Sequence, residues 1–222
     1  MWAAVIVAAG SSRRAGFDKL AAPLAGQPVL RRSVDAFVRA GAAAIVVVCP
    51  ESRWVQTGLA EAAFPIPVCR VDGGAERCDS VAAGLAALPE GTELVAVHDG
   101  ARPLVTPEGI LACVAAARRS GAAACAHPVV DTLKRADAQG YTLAEPVSRE
   151  HLWGMETPQV FRTELLRAAY ERVRALGLCV TDEVSALETL GHATQLVTGG
   201  VNLKITLPGD LALAELIWEQ RS

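Results

Sequence analysis

Short stretches of apolar residues alternate with segments of helical periodicity through the first half of the chain. The apolar stretches predict five strands, which are Ala3–Val7, Ala44–Cys49, Pro67–Val71, Leu94–His98 and Ala122–Pro128. Because they are apolar at nearly every position rather than at every second one, they are typical of strands buried on both faces of a parallel sheet.

The intervening segments have the spacing of helices with one buried face. They predict four helices, which are Val29–Arg39, Glu51–Ala62, Ser80–Leu88 and Pro107–Ser120. Ser80 suits the N-cap region of the third helix, and Thr106 followed by Pro107 suits the start of the fourth. This β-α-β-α order predicts right-handed crossovers, with ligands bound beyond the carboxyl ends of the strands.

The pattern changes after Pro128. Two strand-like segments, Asp131–Arg135 and Tyr141–Val147, flank the polar, turn-rich residues 136–140 and predict a β-hairpin. A lone two-stranded hairpin is only marginally stable in water. We therefore expect this arm, residues 129–150, to pack on a partner subunit.

The last part of the chain returns to regular elements. It predicts two helices, two short strands and a closing amphipathic helix, which are Arg162–Ala175, Thr181–Leu190, Leu196–Thr198, Leu203–Thr206 and Gly209–Gln220. The predicted fold is a single α/β domain over residues 1–222, a Rossmann-like, mostly parallel twisted sheet with helices on both faces and a protruding β-hairpin arm.

Composition narrows the classes of protein. The chain is 51% apolar but only 5% aromatic, so its core is built from Ala, Val and Leu, and its net charge of −3 argues against a nucleic-acid binder. No apolar run approaches the roughly 18 residues of a membrane span. Six scattered cysteines, expected to be mostly buried, and four scattered histidines show no zinc spacing. Together with a strand that begins almost at the N-terminus, these features predict a cytoplasmic protein.

The first loop carries the strongest chemical signal. Ala8, Ala9 and Gly10 lead into a small, hydroxylated segment, and Arg13, Arg14 and Lys19 follow within a few residues. Backbone N–H groups of small residues can wrap a polyphosphate, and the cations would stabilise a phosphoryl-transfer transition state. The loop matches neither G-x-G-x-x-G nor the P-loop. An ordinary strand-to-helix turn with solvated arginines is the alternative.

Two further clusters follow predicted strands. Residues 72–80 contain Gly73 and Gly74, which permit close backbone approach, although a two-glycine turn explains them as well. Asp99 and Arg102 follow the fourth strand, where a carboxylate is well placed to hold Mg²⁺ between triphosphate oxygens. The alternative for Asp99 is a turn cap. His98 is interpreted as a packing group, or as a group that supports a neighbouring site residue, rather than as a base.

Two basic positions lie later in the chain. Arg149 follows the arm, where a solvated charged surface is the simpler interpretation. Lys204 interrupts an apolar segment, so its ammonium should face an anion or a carboxylate, and an internal salt bridge is the alternative.

Taken together, the clusters resemble the 2-C-methyl-D-erythritol 4-phosphate cytidylyltransferase family of the non-mevalonate isoprenoid pathway. The resemblance rests on motifs in family order along essentially the whole chain, which are AAGSSRRAG with its Lys, GGAERCDS, VHDGARP, PVVDTLKR, VSREHLW with TPQ, TDEVSALE and NLKITLPGDLALAE. It implies that a phosphate oxygen of the sugar alcohol attacks the α-phosphorus of CTP and that pyrophosphate leaves. It also implies Mg²⁺ or another divalent cation and a homodimer joined through the arm.

The resemblance also implies roles for single residues. Arg14 and Lys19 match the groups that stabilise the transition state, and Arg149 and Lys204 match those that position the sugar phosphate and complete the catalytic set. Thr132 matches a substrate contact, Arg102 is a second one, and Asp99 matches the acidic residue near the metal. The implied nucleotide-binding set is Ala8, Ala9, Gly10, Ser11, Gly74, Ser80, Asp99 and Gly100. Because the arm is exchanged between subunits in this family, Thr132 and Arg149 are expected to serve either their own site or the neighbour's.

The first loop departs from the family pattern. Ser12 stands where a glycine is common, Ala15 where Met or Leu is common, and Asp18 where Pro usually precedes the Lys. The backbone cradle could therefore differ slightly from that of the family.

Three other functions compete with this hypothesis. A cytidylyltransferase for another alditol phosphate, such as ribitol 5-phosphate, would share the nucleotide loops and differ around the arm and Lys204. A dinucleotide-binding oxidoreductase would need an acidic residue at the end of the second strand, where Cys49 and Pro50 stand. A non-catalytic nucleotide-binding protein would not need Arg14 or Lys19.

Overall fold

The computed structural model describes residues 1–10 and 16–221. Its eleven strands in that part of the chain are β1 Trp2–Val7, β2 Pro23–Leu24, β3 Gln27–Pro28, β4 Ile45–Val48, β5 Val68–Val71, β6 Leu94–Asp99, β7 Ala122–Pro128, β8 Lys134–Ala136, β9 Thr142–Pro146, β10 Trp153–Arg162 and β11 Gln195–Val197. The seven helices of the same residues are α1 Val29–Arg39, α2 Glu51–Gln56, α3 Arg77–Ala86, α4 Pro107–Ser120, α5 Thr163–Ala175, α6 Glu183–Glu188 and α7 Pro208–Glu219.

Seven of the strands form one sheet in the order β11-β7-β10-β6-β1-β4-β5. Every neighbouring pair is parallel except the two pairs made by β10, which runs antiparallel between β6 and β7. The predicted α/β fold with a mostly parallel sheet is therefore confirmed.

Helices cover both faces of this sheet. Successive side chains of each central strand point to opposite faces, so each strand contributes to the core on either side. In β1, Ala4 and Ile6 pack into the core beneath α1 and α4, whereas Ala3 and Val5 pack into the core beneath α3, α5 and α6. A strand buried on both faces needs apolar side chains at every position, which explains the unbroken apolar runs in the sequence.

Two helix boundaries differ from the prediction. The second helix ends at Gln56 instead of Ala62, because Gly58 adopts a φ of 67° that turns the chain out of the helix. The third begins at Arg77, with Glu76 as its N-cap and the Asp79 side chain bonded back to the Glu76 N–H. Ser80 therefore lies inside α3, and its prediction as the N-cap is wrong. Thr106 does cap α4, accepting the N–H of Gly109 at 3.1 Å.

The predicted strands also differ from the structure at two places. Residues 203–206 are not a strand, because the segment bonds to the loop after β6 through Ile205 N–H and the Ala101 carbonyl instead of joining a sheet. Conversely, the central strand β10 is absent from the predicted set. It contains Pro158 and several polar residues, and its pairing with β7 shifts register between Met155 and Gln159.

The predicted arm is present as an antiparallel hairpin of β8 and β9. Its turn is held by the Asp137 carboxylate, which accepts the N–H groups of Gln139 and Tyr141. Both strands are exposed along their whole length, and Val130 and Tyr141 are 76% and 74% exposed. The hairpin therefore contributes to neither core.

Half of the cysteines are buried. These are Cys49, Cys113 and Cys125, whereas Cys69 and Cys179 are exposed. The expectation that most are buried is thus only partly right, because Cys69 lies on the edge strand β5 and Cys179 in the turn after α5. Across the described residues, no helix combines the length and the apolar character that a membrane crossing requires. The cytoplasmic location stays a prediction.

Candidate active site

The carboxyl ends of β1, β5 and β6 meet at one edge of the sheet, and each leads into a loop with predicted site residues. The loop after β1 begins with Ala8, whose N–H bonds the Val48 carbonyl at 2.8 Å. The loop after β6 begins with Gly100, whose N–H bonds the Val7 carbonyl at 2.9 Å. These bonds continue the sheet pairing by one residue, so the start of each loop is held rigidly.

Glycine allows the loop after β5 to pack directly on the loop after β1. A Cβ on Gly73 would lie 2.5 Å from the Ala9 Cβ and 2.8 Å from the Ser80 Oγ, and one on Gly74 would lie 2.2 Å from the Asp79 Cβ. Such distances exclude any side chain. The two loops predicted to hold the nucleotide are therefore in contact.

Ser80 fixes the shape of the glycine loop from inside α3. Its Oγ accepts the Gly74 N–H at 3.2 Å and donates to the Glu76 carbonyl at 3.2 Å. Gly100 is buried, and a Cβ there would lie 2.7 Å from the Leu30 Cδ1. Gly100 therefore contributes only main-chain groups to the loop.

Asp99, the last residue of β6, is the centre of a cationic cluster. Its Oδ2 lies 2.7 Å from the Lys204 Nζ and 3.9 Å from the Arg102 Nε, and its Oδ1 lies 3.4 Å from an Arg77 Nη. Burial alone would raise the pKa of Asp99, but Lys204, Arg77 and Arg102 outweigh it and hold that pKa well below its usual range. The carboxylate is therefore fully ionised at neutral pH.

A second carboxylate supports Arg77 from the opposite side. Glu183, the first residue of α6, is 0% exposed, and both of its oxygens accept from the Arg77 guanidinium, one at 3.0 Å and one at a shorter distance. The Tyr170 hydroxyl donates to the same carboxylate at 3.0 Å. Burial opposes the charge on Arg77, yet Glu183 and Asp99 raise the pKa of the guanidinium above its usual value. Burial and Glu183 together raise the pKa of Tyr170.

His98 and Thr157 lie beneath the cluster. The Thr157 hydroxyl accepts the Asp99 N–H at 3.0 Å and lies 3.0 Å from the His98 Nδ1, while the His98 Nε2 lies 3.2 Å from the Arg102 carbonyl. The imidazole is wholly buried and packs on Phe37 with a ring-centroid separation of 4.9 Å. These contacts agree with a packing or supporting role for His98, and its exclusion as a base stays a prediction.

Lys19 and Lys204 meet at one short segment of backbone. Lys204 is 42% exposed and turns to Asp99, so the internal salt bridge considered above is what the structure contains. The next residue, Ile205, is buried, and its carbonyl accepts from the Lys19 Nζ at 2.7 Å. Lys19 and Lys204 are separated by most of the chain, yet in the fold Lys19 bonds the main chain of the residue that follows Lys204.

Two of the predicted site residues lie on the arm. Thr132 and Arg149 are both exposed there, and Arg149 donates to the Val130 carbonyl. Arg102, besides its contact with Asp99, donates to the Asn202 carbonyl at 2.7 Å. Ser11, Arg13 and Arg14 lie outside the described residues, so their predicted roles stay predictions.

Sequence reasoning missed several residues that organise the site. Glu183 is absent from the predicted site residues. Yet Glu183, Ala186 and Leu187 are buried together at helical spacing, which places the carboxylate on the apolar face of α6. That spacing is the signal that could have identified it. Arg77 and Arg53 stand in polar surroundings of the sequence and carry no comparable signal.

The cluster has an excess of positive charge. Lys19, Arg77, Arg102 and Lys204 bring four cations to the edge, against the three carboxylates of Asp99, Glu183 and Glu156, the last of which acts on Arg102. Excess cations beside exposed loop backbone form a site for a polyanion such as a nucleoside triphosphate or a sugar phosphate.

Comparison with known proteins agrees with this geometry. The sequence profile of 2-C-methyl-D-erythritol 4-phosphate cytidylyltransferase matches residues 2–220. The chain belongs to this family. A 2-C-methyl-D-erythritol 4-phosphate cytidylyltransferase of Synechococcus sp. (strain CC9902) is 40% identical to it, covering 98% of each chain.

Solved structures of the family share the fold. The 2-C-methyl-D-erythritol 4-phosphate cytidylyltransferase of Thermus thermophilus superposes with a TM-score of 0.81 at 35% identity, covering 99% of this chain and 100% of the other. The 4-diphosphocytidyl-2C-methyl-D-erythritol synthase of Anaerococcus prevotii superposes with a TM-score of 0.86 at 28% identity, covering 99% and 98%. Family membership therefore extends over the sheet, the arm and the closing helix.

The donor set of this cytidylyltransferase family member suits a Mg²⁺ ion that is carried by its nucleotide. Within residues 1–10 and 16–221, no three His, Cys, Asp or Glu side chains are grouped so as to hold a metal ion. Mg²⁺ in nucleotide enzymes is commonly held by one or two carboxylates together with substrate phosphates. Asp99 supplies one ionised carboxylate at the edge where the triphosphate would lie, so the residues present fit that arrangement.

Proposed function

We propose that this protein transfers the cytidylyl group of CTP to 2-C-methyl-D-erythritol 4-phosphate and releases pyrophosphate, a step of non-mevalonate isoprenoid biosynthesis. Family membership and the 40% identity to relatives with this name support the proposal. The observation that carries it is that Arg102 and Lys204 both contact Asp99 at the carboxyl edge of the sheet, while Lys19 bonds the carbonyl of Ile205, the residue next to Lys204.

In the reaction, an oxygen of the sugar phosphate forms a bond to the α-phosphorus of CTP while the bond from that phosphorus to the β-phosphate oxygen breaks. No covalent enzyme intermediate is needed, so the contribution of the protein is position and charge. The ammonium of Lys19 stabilises the negative charge on the reacting phosphoryl oxygens, with Arg14 assigned to the same task. Removing one such contact typically costs on the order of 10²–10³ in rate.

We assign the nucleoside and the metal to the neighbouring loops. The backbone of Ala8, Ala9 and Gly10, together with Gly74 and Ser80, holds the cytosine and ribose at the place where the two loops pack together. Asp99 and the nucleotide phosphates would hold Mg²⁺. When bound, Mg²⁺ neutralises charge on the triphosphate and so makes its α-phosphorus easier to attack.

Lys204 and Arg102 bind the sugar phosphate in this proposal. Both already contact the Asp99 carboxylate, so the arriving phosphate offers them a second anion without requiring them to be moved into place. A guanidinium can grip two phosphate oxygens at once, while an ammonium acts as a point charge.

The arm joins two copies of the chain and brings Thr132 and Arg149 to a sugar-phosphate site. Its support is the exposure of both strands together with apolar side chains such as Val130 and Tyr141, since a hairpin without a core of its own gains stability by packing on a partner.

The test is an assay of pyrophosphate release that offers CTP, ATP, UTP and GTP against methylerythritol phosphate and ribitol 5-phosphate, with and without Mg²⁺. We expect release only with CTP, methylerythritol phosphate and Mg²⁺ together. Turnover with ribitol 5-phosphate instead would favour the other alditol phosphate. Tight CTP binding without any turnover would favour a non-catalytic nucleotide-binding protein.

A further inference from the structure

Arg53 of α2 contacts both ends of the first loop. One of its Nη atoms donates to the carbonyl of Ala8, where the loop begins, and its Nε donates to the Asp18 carboxylate at 3.0 Å, where the loop returns. The side chain is 9% exposed. Burying a guanidinium costs free energy unless its donors are bonded, and here the two ends of one loop accept from two of its nitrogens.

Asp18 passes this anchoring on to the residues around Lys19. Its second carboxylate oxygen accepts the N–H of Leu20 at 3.1 Å. Its main-chain carbonyl accepts the N–H groups of Ala21 and Ala22 at 3.2 and 3.1 Å. The turn that carries Lys19 is thereby held by three hydrogen bonds to the residue that Arg53 grips.

We propose that Arg53 and Asp18 form a positioning clamp that holds Asp18 against Ala8 and fixes the direction of the Lys19 side chain, an inference that rests on the proposed function. The clamp sets the main-chain position from which Lys19 extends to the Ile205 carbonyl. It thereby keeps the Lys19 ammonium in place, and in catalysis a misplacement of about 1 Å can cost roughly 10²-fold in rate. Arg53 touches no substrate in this scheme and acts through Lys19.

The test compares Arg53→Gln with Lys19→Ala and with the double variant, all in the full-length protein. If Arg53 acts through Lys19, we expect kcat to fall about tenfold in R53Q and about 10²-fold in K19A, and the double variant to be no slower than K19A. The KM for CTP should change far less than kcat in R53Q. Losses that multiply to about 10³ in the double variant, or an R53Q rate within about twofold of the unmodified protein, would overturn the clamp.

Further variants separate positioning from general loss of structure. Arg31→Gln is the matched control, since Arg31 forms a partly buried pair with Asp35 at 2.8 Å on α1, and it should leave kcat unchanged. R53K retains the charge but not the planar fork, so its kcat should lie between those of R53Q and the unmodified protein. If R53Q does not fold, Asp18→Asn serves in its place, because it weakens the same link while Arg53 keeps the Ala8 carbonyl.

Amide hydrogen exchange tests the clamp without turnover. R53Q should speed exchange at Leu20, Ala21 and Ala22, and R31Q should not; equal exchange in both would reject the clamp. Absence of turnover in the unmodified protein would instead reject the proposed function, and the exchange result would still decide the clamp.

Discussion

Protonation of His98 should weaken the fold as the pH falls from 6.5 to 4. Burial lowers the pKa of His98 to about 4 from its ordinary 6.5, with the Asp99 charge and the hydrogen bond to the Arg102 carbonyl opposing the shift and the charges of Arg102 and Lys204 adding to it. The hydrogen bonds agree with a neutral ring, because the Nε2–H can donate to the Arg102 carbonyl and the Nδ1 can accept from the Thr157 hydroxyl. A second ring proton would point at that hydroxyl.

The size of the effect follows from the difference between the two pKa values. Between pH 4 and 6.5 the unfolded chain binds a proton at this position and the folded chain does not, so stability rises with pH across that window. A difference of about 2.5 units corresponds to about 3 kcal/mol, fully present above pH 6.5 and lost by pH 4. For a protein of ordinary stability this is a large fraction of the total.

Urea unfolding at a series of pH values measures the effect. His98→Asn should be less stable than the unmodified protein at pH 7, and the difference between them should shrink toward pH 4. His151→Asn is the control, because His151 is exposed just after the arm with a φ of 58° that Asn tolerates, and its stability should follow the unmodified protein at every pH.

The reasoning would be refuted by parallel stability curves for H98N and the unmodified protein. An NMR titration provides an independent check, since the chain has four histidines and the H98N spectrum identifies the resonance. A His98 ring that titrates near 6.5 in the folded protein would contradict the buried, neutral assignment.

Three further outcomes follow from the same site. Arg77→Met should lower the free energy of unfolding by about 3–5 kcal/mol in urea, because it leaves the Glu183 carboxylate buried and unpaired, and a loss under about 1 kcal/mol would contradict that buried pair. Arg149→Ala and Lys204→Ala should each be nearly inactive. If the arm serves the neighbour, a mixed dimer of the two variants retains one intact site, so co-expression should restore about a quarter of the activity. No recovery would place Arg149 in its own site. Asp99→Asn should raise the Mg²⁺ concentration needed for half-maximal rate, and an unchanged Mg²⁺ dependence would exclude its carboxylate from metal binding.

The elements that the sequence predicts well are those whose burial is uniform. In the strand predicted over residues 94–98, residues 94–97 are apolar on both faces, so its prediction needs no tertiary information. The strand β10 is not predicted because it contains polar residues whose hydrogen-bond partners lie elsewhere in the fold. The Gln159 side chain accepts the N–H groups of Glu183 and Val184 at 3.1 Å, and Asn202 donates to Glu156 at 3.0 Å. A hydrophobic pattern cannot reveal partners that are distant in sequence.

The same limit explains which residues of the site the sequence predicts and which it does not. The motifs predict which loops contain charged groups, and the fold places Lys19, Asp99 and Lys204 together as those motifs imply. They do not reveal that Glu183 completes the cluster from beneath, nor that Arg53 joins the two ends of the first loop. The segment around Lys204 shows the opposite error, a predicted strand that the structure lacks. Four residues are too few to distinguish a strand from an irregular segment with one buried side chain, Ile205.

The pairing of Lys204 with Asp99 has a consequence for inhibitor design. A phosphonate or sulfonate aimed at this lysine meets an ammonium whose charge is already partly balanced by an internal carboxylate 2.7 Å away. That carboxylate weakens the new ion pair, so adding more negative charge to the compound should bring small gains. Neutral groups that leave this pair intact and fill the space beside it should gain more per atom.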